Sequence, residues 1–313
     1  MFHEMRYVLA VYRHQSFSRA AAALFISQPS LSQMIRKAEE RLGAPIFDRS
    51  TTPISLTDVG RAYVHAAAQV LDLEENLRQY VSDTENCLTG TLSLGGTTLQ
   101  TSYVFPPLIS AFSALFPNVG IDVQEMHTSA LKKALRDGDI DLVADNSLFD
   151  PAVFESRPYL TDRVLLAVPG RLPIAEATKR YQLPPSVISD ADALEKAECV
   201  PLALFSQEDF LLLKEGNDTR DRADELCRLA GFKPKIRLLL DQQIAAYNLA
   251  AYGMGITFVS DTLVCHAPPD ERLCFYRLPG EATKREIRFF YKRTHFVTRP
   301  MREFLQLLSI DGE

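Results

Sequence analysis

The stretch that decides the fold is residues 16–49, SFSRAAAALFISQPSLSQMIRKAEERLGAPIFDR. Ser16 is of a type that caps the start of a helix, and an alanine run at 20–23 follows it. Alanine favours helix, and its methyl group holds two helix backbones apart less than any larger side chain does. We therefore expect a short, buried helix at the start of the stretch.

A second helix is expected after a tight turn at residues 26–28. Ser27 or Gln28 suits the N-cap, and Pro29 fits the first helical position because the N–H that proline lacks has no helical partner there. Two short helices around a tight turn are the arrangement with which a helix-turn-helix protein binds DNA. The pattern thus predicts a DNA-binding module, and a small helical hairpin with a solvated polar side is the alternative.

The second helix has an apolar and a polar side. The apolar stripe recurs at helical spacing and consists of Leu31, Ile35, Ala38 and Leu42. The other side carries Ser30, Gln33, Arg36 and Lys37. Hydroxyl and amide groups hydrogen-bond to base edges or phosphates, and arginine can form two parallel hydrogen bonds to guanine or phosphate. We interpret this polar side as the surface that reads DNA.

The charge distribution agrees with this interpretation once the chain is divided. The 313 residues carry a formal net charge of −6, which by itself argues against a nucleic-acid-binding protein. Residues 1–60 hold seven Lys and Arg against five Asp and Glu, a net +2, which leaves −8 for the remainder. Because a net charge of +2 attracts phosphates only modestly, we expect DNA binding to depend on dimerisation and on shape complementarity.

Residues 58–87 favour one long helix, since no proline interrupts them. Apolar side chains recur there with alternating spacings of four and three residues, at Val59, Tyr63, Ala66, Val70, Leu73, Leu77 and Tyr80. This period is typical of a coiled-coil seam between two chains. The alternative is an amphipathic helix that packs on the core of its own chain.

Beyond residue 88, short apolar strands alternate with helices, which indicates two α/β lobes. Residues 199–205 are read as a strand of the second lobe. The turn at 95–100, which joins the first strand to a helix, carries hydroxyl groups and free helix N–H groups and so favours a small anion. Simple helix capping by Thr97 and Thr98 is the alternative.

The sequence carries no recognisable catalytic or metal-binding motif. Its five cysteines are scattered without a C-x-x-C pair, its six histidines are dispersed, and the common nucleophile, phosphate-loop and zinc motifs are missing. We expect no enzymatic activity, cofactor or metal. Residues 1–6 lack the pattern of an export signal, and the apolar stretch at 20–26 is too short to span a membrane. A cytoplasmic protein with no membrane partner is therefore expected.

The N-terminal sequence resembles that of LysR-type transcriptional regulators. The residues that carry the resemblance are SQPSLSQ at 27–33, Glu39, LG at 42–43, IFDR at 46–49 and TDVG at 57–60. The resemblance implies an α/β chain with an α-rich N-terminal winged helix-turn-helix, a long linker helix, and two Rossmann-like lobes similar to a periplasmic binding protein.

The domain boundaries follow from this resemblance. The winged helix-turn-helix is expected in residues 1–57, the dimerising linker helix in 58–87 and the effector-binding domain in 88–313. Within the last, lobe I is expected at about 88–161 and 266–313, lobe II at about 162–265, and the crossovers near 159–164 and 262–268.

The resemblance also points to binding residues. It implies DNA contact by side chains on or beside the recognition helix, and by one that opens the wing: Ser27, Gln28, Pro29, Ser30, Ser32, Gln33, Arg36 and Arg49. Effector contact is expected for Thr97, Thr98, Gln100, Thr128, Ser129, Phe205 and Ser206. The last two are expected to follow a strand on the far side of the cleft.

We therefore interpret the protein as a LysR-type regulator of promoter DNA. Homodimers paired through the linker helix are expected to assemble into a homotetramer, which changes DNA bending when a small-molecule effector closes the lobes. RNA polymerase is the further partner expected of an activator. The alternative is a cytosolic small-molecule-binding protein of the solute-receptor type, without a DNA-directed function.

Overall fold

The computed structural model describes residues 2–51, 53–84, 90–268, 270–294 and 296–308. It divides into two compact units. The N-terminal unit comprises Met1–Leu88 with Arg293–Arg299, and the C-terminal unit comprises Thr89–Lys292 with Pro300–Glu313.

The N-terminal unit is a helical domain with a two-stranded hairpin. Its elements are α1 (Phe2–His14), α2 (Phe17–Ala23), α3 (Gln28–Leu42), β1 (Phe47–Asp48), β2 (Ser55–Leu56) and α4 (Asp58–Thr84). The two strands pair antiparallel, with Phe47 opposite Leu56. Helices α2 and α3 with the turn between them confirm the predicted helix-turn-helix pattern.

The helix starts follow the predicted capping chemistry. Ser16 caps α2 by accepting a hydrogen bond from the backbone N–H of Arg19, and Ser27 caps α3 by accepting one from Ser30. Gln28 is the first residue of α3, so Pro29 lies one position later than predicted. This shift costs no hydrogen bond, because the N–H groups of the whole first turn have no partner within the helix.

The apolar stripe of α3 forms the centre of the N-terminal core. Leu31, Ile35 and Ala38 are buried beside Ala20 and Ala21 of α2, which explains the close approach of the two helices. Leu42, at the end of the stripe, is 41% exposed. It belongs to the last turn of α3, immediately before Gly43 ends the helix in a left-handed conformation (φ +74°).

Helix α4 has two different faces. Val64 and Ala67 are buried, and the helix packs on α1. Val59 and Leu73 of the predicted seam are 42% and 66% exposed. Residues 85–89 and the side chains of Leu77 and Tyr80 lie outside the described part of the chain. Part of the helix thus covers its own core, while part of the seam is left uncovered in the single chain.

Gly60 fixes how α4 begins. A Cβ atom at this position would lie 2.0 Å from the carbonyl oxygen of Ile46, far inside any contact distance. The N–H of Thr57 donates to the same carbonyl at 3.0 Å. The glycine therefore allows the first turn of α4 to lie directly against the chain that enters the hairpin.

The C-terminal unit is an α/β structure built on one long sheet. Its strands are β3 (Gly90–Gly96), β4 (Val119–Glu125), β5 (Leu142–Asp145), β6 (Phe154–Pro169), β7 (Asp209–Leu213), β8 (Lys235–Leu240), β9 (Ile256–Ser260), β10 (Leu273–Arg277) and β11 (Lys284–Lys292). The helices are α5 (Phe105–Leu115), α6 (Thr128–Asp137), α7 (Pro173–Ala177), α8 (Pro185–Ile188), α9 (Ala191–Lys196), α10 (Asp218–Leu229), α11 (Gln243–Ala251), α12 (Asp261–His266) and α13 (Arg299–Leu307). The strand order is β4-β3-β5-β11-β6-β9-β7-β8, with β10 paired to β6.

Strand β6 connects two lobes. Its first part pairs with β11, next to the parallel strands β4, β3 and β5 of the first lobe. Its last part pairs with β9 and β10 of the second lobe. In that part Val164 and Leu166 face one apolar cluster and Leu165 and Ala167 face another, so the second-lobe sheet is covered on both sides. The crossover predicted near 159–164 falls in the middle of this strand.

The second crossover was placed too early. Residues 261–266 form α12, and β10 still pairs with β6 in the second lobe. The chain returns to the first-lobe sheet only between β10 and β11, at residues 278–283, so the second lobe extends beyond the predicted limit of 265.

The strand predicted at 199–205 was also wrong. Pro201 precedes a 3₁₀ turn at Leu202–Phe205, and the strand of the second lobe is β7. Phe210–Leu213 form a fully buried apolar run between the parallel neighbours β8 and β9. A central strand needs apolar residues on both faces and a backbone N–H at each position that bonds to a neighbouring strand. Residues 199–205 do not suit this position, because Pro201 has no N–H.

Candidate functional sites

The first site is the exposed side of α3. Side chains at its start and along its polar side are exposed, namely Ser27, Gln28, Pro29, Ser30, Gln33, Arg36 and Lys37. Ser32 is half-buried. Seven of the eight residues predicted to contact DNA thus lie on or beside one helix, and Arg49 is exposed on the hairpin that follows.

Hydroxyl groups organise the start of α3. The Oγ atoms of Ser27 and Ser30 are 2.7 Å apart, and Gln28 Nε2 donates to Ser32 Oγ at 3.4 Å. All four groups are close to solvent, so a phosphate or base edge can replace these partners at small cost. The helix N-terminus itself favours a phosphate.

Glu39 ties α3 to the hairpin. Its Oε1 accepts hydrogen bonds from the N–H groups of Ile46 (2.9 Å) and Phe47 (3.3 Å), and its Oε2 pairs with Arg49 at 2.9 Å. The Arg49 guanidinium also lies 5.5 Å from the ring centroid of Phe17. The hairpin therefore keeps a fixed position relative to the polar side of α3. Sequence reasoning placed Arg49 at the wing but missed this role of Glu39.

The second site is a cleft between the two lobes of the C-terminal unit, with a volume of about 570 Å³. A cleft of this size suits a small molecule. First-lobe residues that line it include Thr97, Thr98, Glu125, Thr128, Ser129, Asp145, Asn146 and Ser147. The second lobe contributes 213–219 and 241–243, and β11 contributes Arg285.

Four of the predicted effector residues line this cleft: Thr97, Thr98, Thr128 and Ser129. Gln100 is fully buried behind them. Its Oε1 accepts hydrogen bonds from Thr97 N (3.2 Å) and Thr97 Oγ1, and its Nε2 donates to Asn146 Oδ1 at 2.5 Å. The turn predicted to favour an anion therefore already uses the Thr97 donors within the protein.

The prediction for Phe205 and Ser206 was wrong. Phe205 is 0% exposed and packs in the second-lobe core, 5.7 Å from Tyr276 between ring centroids. Ser206 is not among the residues that line the cleft. The error follows from the misplaced strand, because the wall of the cleft is formed by the residues after β7, and not by those after 205.

A buried ion pair lies between the two lobes. Arg285 of β11 donates to Asp162 of β6 at 2.6 Å, and to Asp218 (2.7 Å) and Thr219 (2.9 Å) at the start of α10. Burial alone would raise the pKa of Asp162, but the charge of Arg285 and several hydrogen bonds hold that pKa below its usual value. Sequence reasoning missed this pair, because β11 also carries Lys284, Glu286 and Arg288 and nothing in the sequence sets Arg285 apart from them.

Hydrogen bonds extend this pair into both lobes. Asp162 accepts from Ser260, from Thr262 Oγ1 (2.6 Å) and from Asn146 Nδ2 (3.4 Å). Asn146 in turn accepts from Gln100, which holds Thr97. A continuous polar chain thus runs from the first-lobe wall through the crossing strands to the second-lobe wall. A rotation of one lobe relative to the other must change it.

Two further aspartates carry perturbed pKa values. Burial and the charge of Asp162 raise the pKa of Asp261 to about 8. Burial also raises the pKa of Asp145, although Ser147 N (2.7 Å) and Thr128 Oγ1 (2.8 Å) donate to its carboxylate. Asp145 lies at the end of β5 and lines the cleft. Burial disfavours its charged form, so a proton or a bound cation would stabilise this side chain.

The described cysteines offer no reactive thiol in the cleft, since none of the four lines it. Burial raises the pKa of Cys227 to about 12 and that of Cys265 to about 11, which disfavours the thiolate. Among the residues that the structure describes, no group of three His, Cys, Asp or Glu side chains is placed to hold a metal ion. None of the described helices combines the length and apolarity needed to cross a membrane.

Comparison with known families gives two matches that together span nearly the whole chain. Residues 2–61 match the family described as bacterial regulatory helix-turn-helix protein, lysR family. Residues 86–310 match the LysR substrate binding domain.

Individual relatives are similar over most of their length. The uncharacterized HTH-type transcriptional regulator YcgK of Bacillus subtilis is 30% identical over 308 residues, which cover 97% of this chain and 92% of that protein. The DNA-binding transcriptional dual regulator OxyR of Escherichia coli K12 is 27% identical over 269 residues, covering 86% and 81%.

Solved structures share the fold. A full-length OxyR variant from Pseudomonas aeruginosa aligns with a TM-score of 0.72 at 23% identity, covering 99% of this chain and 95% of the other. Full-length CbnR in complex with its target DNA aligns with a TM-score of 0.60 at 19% identity, covering 100% of both chains.

Proposed function

The chain belongs to the LysR family of DNA-binding transcriptional regulators with an effector-binding domain, and we propose that it binds promoter DNA through the exposed side of α3. The residues proposed to contact DNA are Ser27, Gln28, Pro29, Ser30, Ser32, Gln33, Arg36 and Arg49. The observation that carries this proposal is that all of them except the half-buried Ser32 are exposed, on or beside one helix and on the hairpin fixed to it.

Two DNA-binding domains are needed for tight binding to DNA, because residues 1–60 of one chain carry a net charge of only +2. The exposed seam residues Val59 and Leu73 of α4 support pairing of two chains along this helix. A dimer matches two half-sites on DNA, and two dimers form the proposed tetramer. The solved CbnR structure, which contains that protein's target DNA, supports the same use of this fold.

The cleft between the lobes is the proposed effector site. A ligand that contacts both walls favours one arrangement of the lobes, and it shifts the equilibrium only as far as its affinities for the two arrangements differ. The polar chain through Asp162 and Arg285 supports such coupling, since it joins both walls. We place the protein in the cytoplasm, where promoter DNA is found, and RNA polymerase is its further partner where it activates transcription.

The test of DNA binding is a gel-shift assay with the DNA upstream of the protein's own gene. We expect a shift that an excess of unrelated DNA does not abolish. Equal binding to both DNAs at physiological salt, or no binding to any promoter fragment of the source genome in a selection experiment, would overturn the proposal. The salt concentration is held constant, because phosphate contacts make affinity depend on it.

A further inference from the structure

Carboxylates outnumber cations in the cleft. Five acidic side chains line it, namely Glu125, Asp145, Glu215, Asp218 and Asp241, against the two cations Lys214 and Arg285. Both cations are already paired. Arg285 lies between Asp162 and Asp218, and Lys214 Nζ is 2.8 Å from Asp241. Within the described residues, Glu125, Asp145 and Glu215 form no salt bridge.

The threonine hydroxyl groups of the first-lobe wall do not offer donors to a ligand. Thr97 donates to Gln100, Thr98 donates to Glu125 at 2.6 Å, and Thr128 donates to Asp145 at 2.8 Å. Each hydroxyl has one proton, so these groups are left with lone pairs only. Together with the carboxylates they form a surface of hydrogen-bond acceptors, which is suited to a group that carries several donors.

Strand register places Glu125 and Asp145 on either side of one strand end. Gly96 at the end of β3 pairs with Glu125 on β4 and with Ala144 on β5. The backbones of Glu125 and Asp145 are thus about two strand spacings apart, roughly 10 Å, with the Thr97 turn between them. Side chains that extend from both sides leave room for one small group at the end of β3.

We infer that the effector is a small organic molecule with an ammonium group, which Glu125 and Asp145 hold at the end of β3. An ammonium group has three donors and a positive charge, and both match this wall. A purely anionic effector would add charge of the same sign to the three carboxylates that lack a cation. Ser129, at the start of α6, also lines the cleft and can bind a polar or carboxylate group at the other end of the same molecule. This inference rests on the proposed effector role of the cleft.

Asp145 gives the inference further support. The buried carboxylate forms no salt bridge with a described residue: the charge of Lys132 on α6 acts on it from a distance, while Lys132 Nζ donates to the carbonyl oxygen of Leu148 at 3.0 Å. A ligand cation beside Asp145 would supply the charge compensation that burial demands. A metal ion is less suited, since no group of three metal-ligating side chains is found in the described residues.

The test is thermal unfolding of the full-length protein with size-matched metabolites. One set carries ammonium groups, represented by 1,4-diaminobutane, 4-aminobutanoate and the amino acids; the other carries only carboxylates, represented by butanedioate. MgCl₂ and CaCl₂ form a third arm. We expect ammonium-bearing compounds to raise Tm, since a ligand of the folded state stabilises it. The inference would be overturned if only dicarboxylates or only metal ions raised Tm. It would also be overturned if no ammonium-bearing compound raised Tm.

Two variants locate the contact. Glu125→Gln removes the charge at the end of β4 and should weaken binding of the stabilising amine roughly tenfold, the size expected for a hydrogen bond to a charged group. Asp122→Asn makes the same change at an exposed position of β4 outside the cleft, and should leave the affinity unchanged. Equal amine affinity in wild type and Glu125→Gln would contradict the inference.

The outcome is separable from that of the proposed function. Specific DNA binding is measured by gel shift on the wild-type protein without ligand, whereas amine binding is measured by the change in Tm, so the two results are obtained independently. Loss of specific DNA binding by the wild-type protein would remove the proposed function even where an amine binds. Binding of anions with intact DNA recognition would remove only the inference on ligand charge.

Discussion

Arg36 is exposed near the middle of the polar side of α3, so its side chain is not part of the core. Replacing Arg36 with Ala should weaken operator binding by about 1–3 kcal/mol, the usual effect of removing an arginine that contacts a base, while the fold and ligand binding stay intact. The measurement is a gel-shift titration at fixed salt. Arg228→Ala, which removes an exposed arginine from α10, is the control. Equal operator affinity for wild type and Arg36→Ala would count against α3 as the reading helix.

Thr98 is expected to matter for the effector and not for DNA. Its hydroxyl donates to Glu125 Oε1 at 2.6 Å, whereas Thr101 Oγ1 donates to the other oxygen at 3.0 Å, so Thr98→Val loosens the position of this carboxylate. The effector response should be lost or shifted to roughly tenfold higher ligand concentration, as for a hydrogen bond to a charged group. Titrating ligand into the protein–operator complex measures this. Thr91→Val, at an exposed position of β3, should behave as wild type, and an unchanged titration for Thr98→Val would remove Thr98 from the site.

Individual site residues could be predicted where a local pattern decides their position. Thr98 follows a strand and Ser129 begins a helix, and in an α/β lobe both positions fall at the carboxyl edge of the sheet. Arg285 could not be assigned in this way, because its partner Asp162 is 123 residues away in sequence. Phe205 was misplaced because its location depended on which segment becomes a central strand.

At the scale of elements, the uncovered part of α4 carries the clearest prediction. Leu73 is 66% exposed in the single chain. Replacing it with Glu puts a charge in the proposed seam, and the dimer should dissociate to monomers at micromolar concentration, since a carboxylate would lose its water in an apolar interface. Sedimentation analysis measures the change.

His65→Glu changes charge by a similar amount at an exposed position of the same helix outside the seam, and it should leave the dimer intact. Should Leu73→Glu sediment as wild type does, pairing along this helix would be excluded.

Sequence periodicity predicted the elements with strong local signals and failed where tertiary context decides. Helix α3 has a cap, an apolar stripe and a terminal glycine, and it was predicted to begin at Pro29, one residue after its observed start at Gln28. The bounds of the 16-residue strand β6 and the identity of β7 were missed. Both depend on neighbours in the sheet: β6 pairs with strands of two lobes, and β7 is central because of the parallel strands beside it.

At the scale of the whole molecule, the two lobes of the C-terminal unit are joined by strands that carry a buried charge network. Asp162 and Arg285 lie on the two strands that pair between the lobes, and both are nearly inaccessible to solvent. Breaking such a pair by removing one partner is costly, because the remaining charge stays buried.

The pKa of Asp261 predicts a pH dependence. In the folded chain this pKa is about 8, against an ordinary value of 3.8. Between these pH values the folded state keeps a proton that the unfolded state has lost, so the free energy of unfolding falls as pH rises through this window. Asp261→Asn stays uncharged and should lack this contribution, which gives a flatter profile than the wild type.

Urea unfolding at several pH values between 5 and 8 measures the difference between the two proteins. We expect the stability of the wild type relative to Asp261→Asn to decrease steadily with pH. A constant difference over this range would show that Asp261 does not retain its proton in the folded chain.

The central claim is that the exposed side of α3 enters a groove of duplex DNA. The most direct measurement is site-specific photo-crosslinking, with a benzophenone amino acid in place of Gln33 and, as control, in place of the exposed Leu204 of the C-terminal unit. We expect crosslinks from position 33 to bases of the operator and none from position 204. A specific protein–DNA complex that gives no crosslink from position 33 would contradict it.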